Sequence, residues 1–183
     1  PFDQRNIPNE IRKIGYEPEE VTDVILTHLH FDHCGASTML NEYGEAIPTF
    51  PNATYWVSLK QWKNYRNPSL FEKGSFFPDN IEPVFRSGQL QFVMEDQMLY
   101  DTIRLELYDG HTPGQIVVLF DAEEGNFAFP GDVVPTSLNI ALSWLVYRLT
   151  GSVFLLGLIG FTTQIPTFIL TPFTGVLTDR YNR

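Results

Sequence analysis

The chain has 183 residues, 43% of them hydrophobic and 19% charged, which suits a folded domain with a sizeable core and not a disordered chain. Its net charge of −10 argues against a nucleic-acid partner, and a single cysteine excludes an internal disulfide framework. The charge is uneven: residues 1–140 hold 9 Lys/Arg against 21 Asp/Glu, and residues 141–183 hold 3 against 1.

Asn9–Gly15 predicts a short helix closed by Gly15. Val21–Thr27 is β-branched and apolar on both faces, as in a buried strand. The next stretch, Thr27–Ala36, reads THLHFDHCGA and holds three of the four histidines. Beyond it, CGASTML is expected to open a helix. ATYWV predicts a strand, and SLKQW a helix whose Ser58 and Gln61 are spaced for a capping box. Residues 66–88, rich in Pro, Phe and Gly, are expected to form a long irregular loop. Ile103–Tyr108 alternates as a strand with one wet face, QIVVLF predicts another strand, DAEEGN a turn, and Phe127–Phe129 a short strand before Gly131-Asp132.

The character changes near Ser137. Leu149–Thr178 is thirty residues without a charge. A bilayer needs about 20 mostly apolar helical residues, so Val153–Leu170 is expected to span a membrane, with Pro166 as a kink. A buried core helix is the plainer alternative. The first residue is Pro1, with no methionine and no signal-peptide pattern, so a fragment is expected.

The histidine cluster carries the chemistry. On a strand side chains alternate, so His28 and His30 are expected to face the same way and to grip one metal ion. Asp32 and His33 lie just beyond and can turn to a second ion. A lone histidine is ordinarily a satisfied polar residue, but four such groups in six residues are costly to bury without an ion to neutralise them. Imidazole and carboxylate suit Zn²⁺, and also Mn²⁺ or Fe. His111, in DGHTPG, follows the strand Ile103–Tyr108 in a turn shaped by Gly110, Pro113 and Gly114. Asp132 follows Phe127–Phe129, and its plainer role is to form the turn. Each candidate follows an apolar strand, so one sheet edge could gather them all. Cys34 reads as a small buried residue.

THLHFDHCGA, DGHTPGQ and GDVVPT, in that order, resemble the metallo-β-lactamase-fold hydrolases over residues 1–136, in particular their lactonase-like members. The resemblance implies an αβ/βα sandwich. It implies that His28, His30 and His111 hold a first Zn²⁺, that Asp32 and His33 hold a second, and that Asp132 bridges them. Asp32 would also orient the attacking hydroxide and carry a proton to the leaving group. Two departures stand out. The family's first strands are mostly absent, and no histidine follows His111 where the family supplies another ligand. A weakened second site and poor turnover are therefore expected.

The tail has its own resemblance. Gly175–Arg183, GVLTDRYNR, is similar to the G-x-x-x-D-R-x-x-R loop of major facilitator transporters, and about residues 139–183 look like the start of such a protein. The sequence thus predicts an α+β fold: a partial sandwich, with a hydrolase domain at 1–137 truncated at both ends, followed by a hydrophobic, transmembrane helical segment at 138–183. The expected function is metal-dependent hydrolysis of a small-molecule ester, lactone or related substrate. The runner-up is a non-catalytic chimera, a degenerate metal-binding domain tethered to a transporter piece. The hydrolase part is placed in the cytoplasm by default, with membrane attachment through about residues 150–178 if the tail is genuine.

Overall fold

The computed structural model describes residues 7–123, 125–155 and 157–158. The chain divides into two compact units, Pro1–Val134 and Pro135–Arg183.

The first unit opens with helix α1 (Ile7–Lys13), after which Gly15 takes a φ of +95°. Strand β1 (Asp23–Ile25) is shorter than the expected Val21–Thr27. Its backbone pairing continues one residue further, with Leu26 N donating to Trp56 O at 2.9 Å. The chain then departs, and Thr27 O accepts from Ile116 N at 2.8 Å. His28 and His30 therefore sit in an extended loop beyond the strand, and a ladder does not set their alternation. The four-residue helix α2 (Phe31–Cys34) follows directly.

The expected helix at CGASTML is absent. A single 3₁₀ turn, Gly35–Ser37, leads into strand β2 (Thr38–Leu40), which pairs antiparallel with β3 (Ala46–Pro48). The hairpin turn overrides the helical pattern. Asn41 Oδ1 accepts from the backbone N–H of Tyr43 and of Glu45, each at 2.9 Å, and Gly44 adopts a φ of +78°.

Strand β4 (Thr54–Ser58) and helix α3 (Leu59–Arg66) form as expected. Ser58 caps α3 by accepting from Gln61 N at 2.9 Å. The reciprocal half of the capping box is missing, because the Gln61 side chain is directed to Thr112. Residues 66–88 are more regular than expected. Two 3₁₀ turns, Lys73–Ser75 and Pro78–Asn80, precede helix α4 (Glu82–Arg86), with Pro83 in its first turn. Sequence reasoning missed β5 (Leu90–Val93) and β6 (Gln97–Tyr100). Strand β7 (Ile103–Tyr108) forms as expected, while β8 (Gln115–Ala122) and β9 (Gly125–Phe129) each run two residues into the expected turn at 121–126.

Three of these strands form a parallel sheet ordered β1-β4-β5, and four form an antiparallel meander ordered β6-β7-β8-β9. The central strand β4 is packed on both faces. Tyr55 and Val57 join a core with Leu26, Leu29, Ile81 and Val84, against which Trp62 and Tyr65 of α3 pack. On the other face, Trp56 and Ile25 meet a second core of Val93, Leu105, Ile116 and Val118, drawn from both sheets. The unit is thus a layer of helices, a parallel sheet and an antiparallel sheet. Inside it, the Tyr55 hydroxyl accepts from Phe50 N at 3.0 Å and donates to Ser37 O at 3.2 Å.

Helix α5 (Val133–Thr150) starts at the end of the first unit and carries, in the second, exposed Trp144 with the Arg148 guanidinium 5.0 Å over its ring. Gly151 ends the helix at a φ of +60°, and its N–H donates to Tyr147 O at 2.7 Å. Among the described residues, no helix is long and apolar enough to cross a membrane. The expected span Val153–Leu170 and the motif Gly175–Arg183 lie mostly and wholly, respectively, outside the described residues.

Candidate metal centre

Three loops, each leaving the end of a strand, bring the candidate ligands together. The loop after β1 is held at both sides, by Trp56 O of β4 and by Ile116 N of β8. Between the two histidines, Leu29 is 1% exposed and packs in the core. Its burial anchors the loop, and His28 and His30 are carried beside it. His30 also opens α2, its carbonyl accepting from His33 N at 2.9 Å and Cys34 N at 3.0 Å. That single turn swings Asp32 and His33 to the far side of the site.

The β7–β8 loop presents His111. Asp109 Oδ1 accepts from Gly114 N at 2.9 Å, and the Ser58 hydroxyl donates to Gly114 O. Gly114 has a φ of +72°, and a Cβ there would stand 2.6 Å from Lys60 Cβ and from Ser58 Oγ. Glycine is therefore required both by conformation and by the close approach of α3.

The loop after β9 presents Asp132. Gly131, at a φ of +52°, packs so closely that a Cβ would stand 3.1 Å from Thr27 Cβ and 2.6 Å from Gln115 Nε2. Gln115 Nε2 in turn donates to Pro130 O at 2.9 Å. This contact sets Asp132 beside the residue that precedes His28.

Five of the six candidates fall into two sets that share His28. His28, His30 and His111 offer donor atoms that all lie within 4.8 Å of one another, and so do His28, His33 and Asp132. His30 Nδ1 is 3.1 Å from His111 Nε2. Asp132 Oδ2 lies between the sets, 3.2 Å from His33 Nε2 and 3.3 Å from His111 Nε2. Asp32 stands at the edge, with Oδ2 3.6 Å from His33 Nε2 and a side chain 58% exposed. The second triad thus contains His28, where Asp32 was expected. Cys34 is buried beneath the site, its thiol donating to Leu29 O at 3.3 Å. Burial pushes that thiol up to about 12, and Cys34 stands in neither of the two donor sets.

The donors have the character of metal ligands. His28 is fully buried, and its Nε2 has no hydrogen-bond partner among the described residues. Its Nδ1 lies 3.1 Å from Thr27 Oγ1. A proton on Nδ1 leaves the lone pair on the unpartnered Nε2. Burial, then the nearby His33, His30 and His111, push His28 down to about 3. His30 is also lowered, by burial first and then by His111, against the opposing pull of Glu72. Both rings are therefore neutral at neutral pH, the form that binds metal. Tetrahedral Zn–N bonds of about 2.0–2.1 Å place ligand nitrogens about 3.3 Å apart, close to the His30–His111 separation. A set of imidazole nitrogens and carboxylate oxygens fits zinc, manganese or iron.

Sequence reasoning missed three polar residues that brace the site: Thr27, Thr112 and Glu72. Thr112 adjoins His111 and is fully buried. Glu72 comes from the loop after α3, and its Oε1 lies 3.5 Å from His30 Nε2. No local pattern marks it, since it is a lone acid in an apolar segment far from the histidines in sequence.

The sequence profile of the metallo-beta-lactamase superfamily matches residues 2–179, and the chain belongs to that superfamily. It is similar to an N-acyl homoserine lactonase of a Bacillus species, 26% identical over 122 residues that make up 67% of this chain and 42% of that protein. It is also similar to the N-acyl homoserine lactonase AttM of Agrobacterium fabrum, 28% identical over 111 residues, 58% of this chain and 38% of that one. The chain thus spans less than half the length of these curated relatives. Among solved structures, a probable metal-dependent hydrolase from Staphylococcus aureus superposes with a TM-score of 0.60 at 22% identity, over 69% of this chain and 43% of that one. AidC, a dizinc quorum-quenching lactonase, superposes with a TM-score of 0.58 at 22% identity, over 69% and 46%. These two likenesses establish the shared fold.

Proposed function

We propose that residues 1–137 form a metal-dependent hydrolase domain that opens lactones or related small esters. The observation that carries this reading is the pair of donor triads meeting at buried His28, whose Nε2 has no hydrogen-bond partner among the described residues. His28, His30 and His111 would hold one Zn²⁺. His33 and Asp132 would hold a second, Asp132 reaching both and Asp32 flanking it. When bound, the ions supply Lewis acidity and activate water near neutral pH.

The chain's own residues supply the rest. Thr27 orients His28, and the buried Leu29 keeps both histidines of its loop on the site. Asp32 is the most exposed of the six candidates. Its carboxylate would orient the attacking water, take up its proton and deliver that proton to the departing alcohol. The lactonase relatives support a lactone as the substrate class. The test is ring opening of an N-acyl homoserine lactone by the full chain, with and without added zinc. Zinc-dependent turnover that disappears in Asp32→Asn supports the reading, and turnover indifferent to zinc sinks it.

A second reading is a non-catalytic metal-binding domain joined to a membrane piece. The charge-free run Leu149–Thr178 favours it, although the superfamily profile runs through residue 179. Recovery of the expressed chain from carbonate-washed membranes supports attachment, and its recovery in the wash refutes it.

A further inference from the structure

Glu72 reaches between two of the ligand loops, and its carboxylate is held firmly. Thr112 Oγ1 donates to Oε1 at 2.6 Å, and Asn64 Nδ2 lies 3.3 and 3.2 Å from the two oxygens. Ser69 Oγ stands 3.4 Å from Oε2 and accepts from Glu72 N at 3.3 Å. Thr112 is itself tied to the fully buried amide of Gln61, at 3.2 and 3.3 Å. The carboxylate is thus fixed by α3, by its own loop and by the residue after His111.

What it faces is the back of the His30 ring. Nδ1 of that ring looks toward His111, 3.1 Å away. Nε2 is buried, without a hydrogen-bond partner among the described residues, and Glu72 Oε1 is the acceptor set 3.5 Å from it. Phe76 packs on the same ring, with centroids 5.2 Å apart. A neutral imidazole carries one proton, and only its other nitrogen can bind a metal. With the proton on Nδ1, the lone pair of Nε2 would face a carboxylate, which is repulsive. With the proton on Nε2, it faces an acceptor and leaves the Nδ1 lone pair toward His28 and His111.

We propose that Glu72 is a positioning residue of the metal centre, holding the His30 ring as the Nε2–H tautomer so that Nδ1 serves the first metal position. This rests on the reading that His28, His30 and His111 bind a metal. A carboxylate behind a ligating histidine is a common device, and its removal costs about 10–100-fold in metal affinity or activity. A purely structural Glu72, pinning its loop to Thr112 and Asn64, would leave the tautomer of His30 unconstrained.

The test uses the full chain with ¹⁵N-labelled histidine. Two-bond ¹H–¹⁵N correlation spectra report which nitrogen of each ring is protonated, and chelator competition reports zinc affinity. The expected result is Nε2–H on His30 in the metal-free wild type. Glu72→Leu should give mixed tautomers and zinc affinity lower by about 10–100-fold. Glu72→Gln, whose amide oxygen still accepts, should keep the wild-type tautomer. A wild-type His30 protonated on Nδ1 overturns the proposal without recourse to any variant. Wild-type tautomer and affinity in Glu72→Leu overturn it equally. Failure of the wild type to take up zinc instead refutes the metal reading on which the proposal rests.

Discussion

Replacing Gly114 by alanine separates two costs that the His111 loop imposes. The first is conformational: an L-residue forced into the left-handed region costs roughly 1–2 kcal/mol, and Gly114 sits at a φ of +72°. The second is steric. The new Cβ would stand 2.6 Å from Lys60 Cβ and Ser58 Oγ and 3.0 Å from the backbone N of Gln61. Those atoms belong to the start of α3 and cannot move without breaking its cap. Overpacking of that kind costs about 1–3 kcal/mol more. Gly44 provides the reference, because it has a similar φ of +78° with nothing within 4 Å of its Cβ position. Urea unfolding should show Gly44→Ala destabilised by about 1–2 kcal/mol and Gly114→Ala by about 2–5 kcal/mol, the two terms together. Gly114→Ala should also weaken zinc binding, because His111 moves with its loop, whereas Gly44→Ala should not. Equal destabilisation of the two variants would show that the loop does not depend on close approach to α3.

Tyr55→Phe should cost about 1–3 kcal/mol in chemical denaturation, since it leaves Phe50 N and Ser37 O in the core without the hydroxyl that joins them; an unchanged midpoint would refute that. The metal-free protein should lose stability as pH falls. His28 lies below its ordinary 6.5 in the folded state, at about 3, so the unfolded chain takes up its proton first and gains relative to the folded one. The loss should begin near pH 6.5 and continue toward pH 3, and His28→Gln should flatten the part of the melting-temperature profile between them. Asp32→Asn should abolish lactone turnover yet leave the tight zinc in place, measured by metal content after dialysis, because Asp32 lies outside both donor triads.

Much of this site could be read from the residues themselves. Histidines at 28, 30, 33 and 111 are chemically distinctive, and the strand before the first three is marked by a β-branched run. The strand at 103–108 was marked by its alternation, and the one at 115–120 by its apolar, β-branched run. What failed was decided by contacts between distant segments. The CGASTML stretch has a helical pattern, yet Asn41 and Gly44 turn it into a hairpin with Ala46–Pro48. Strand β5 is short, and it becomes a strand by pairing with β4 across the sheet. Within the site, Asp32 was expected to share a metal with His33; its Oδ2 lies 3.6 Å from His33 Nε2, while His28 and Asp132 complete the donor triad that contains His33. Glu72 was invisible because forty-two positions separate it from His30, and only the path of the loop after α3 closes that gap.

His28, His30 and His111 are expected to hold a metal ion tightly. This is tested most directly by the zinc content of the purified full chain after exhaustive dialysis, alongside that of His111→Ala. About one zinc per chain is expected to survive dialysis in the wild type, held by the three histidines. This zinc is expected to be lost in His111→Ala while the circular dichroism of the fold persists. Wild-type protein that emerges free of metal, or a His111→Ala variant that retains as much zinc as the wild type, would contradict this expectation.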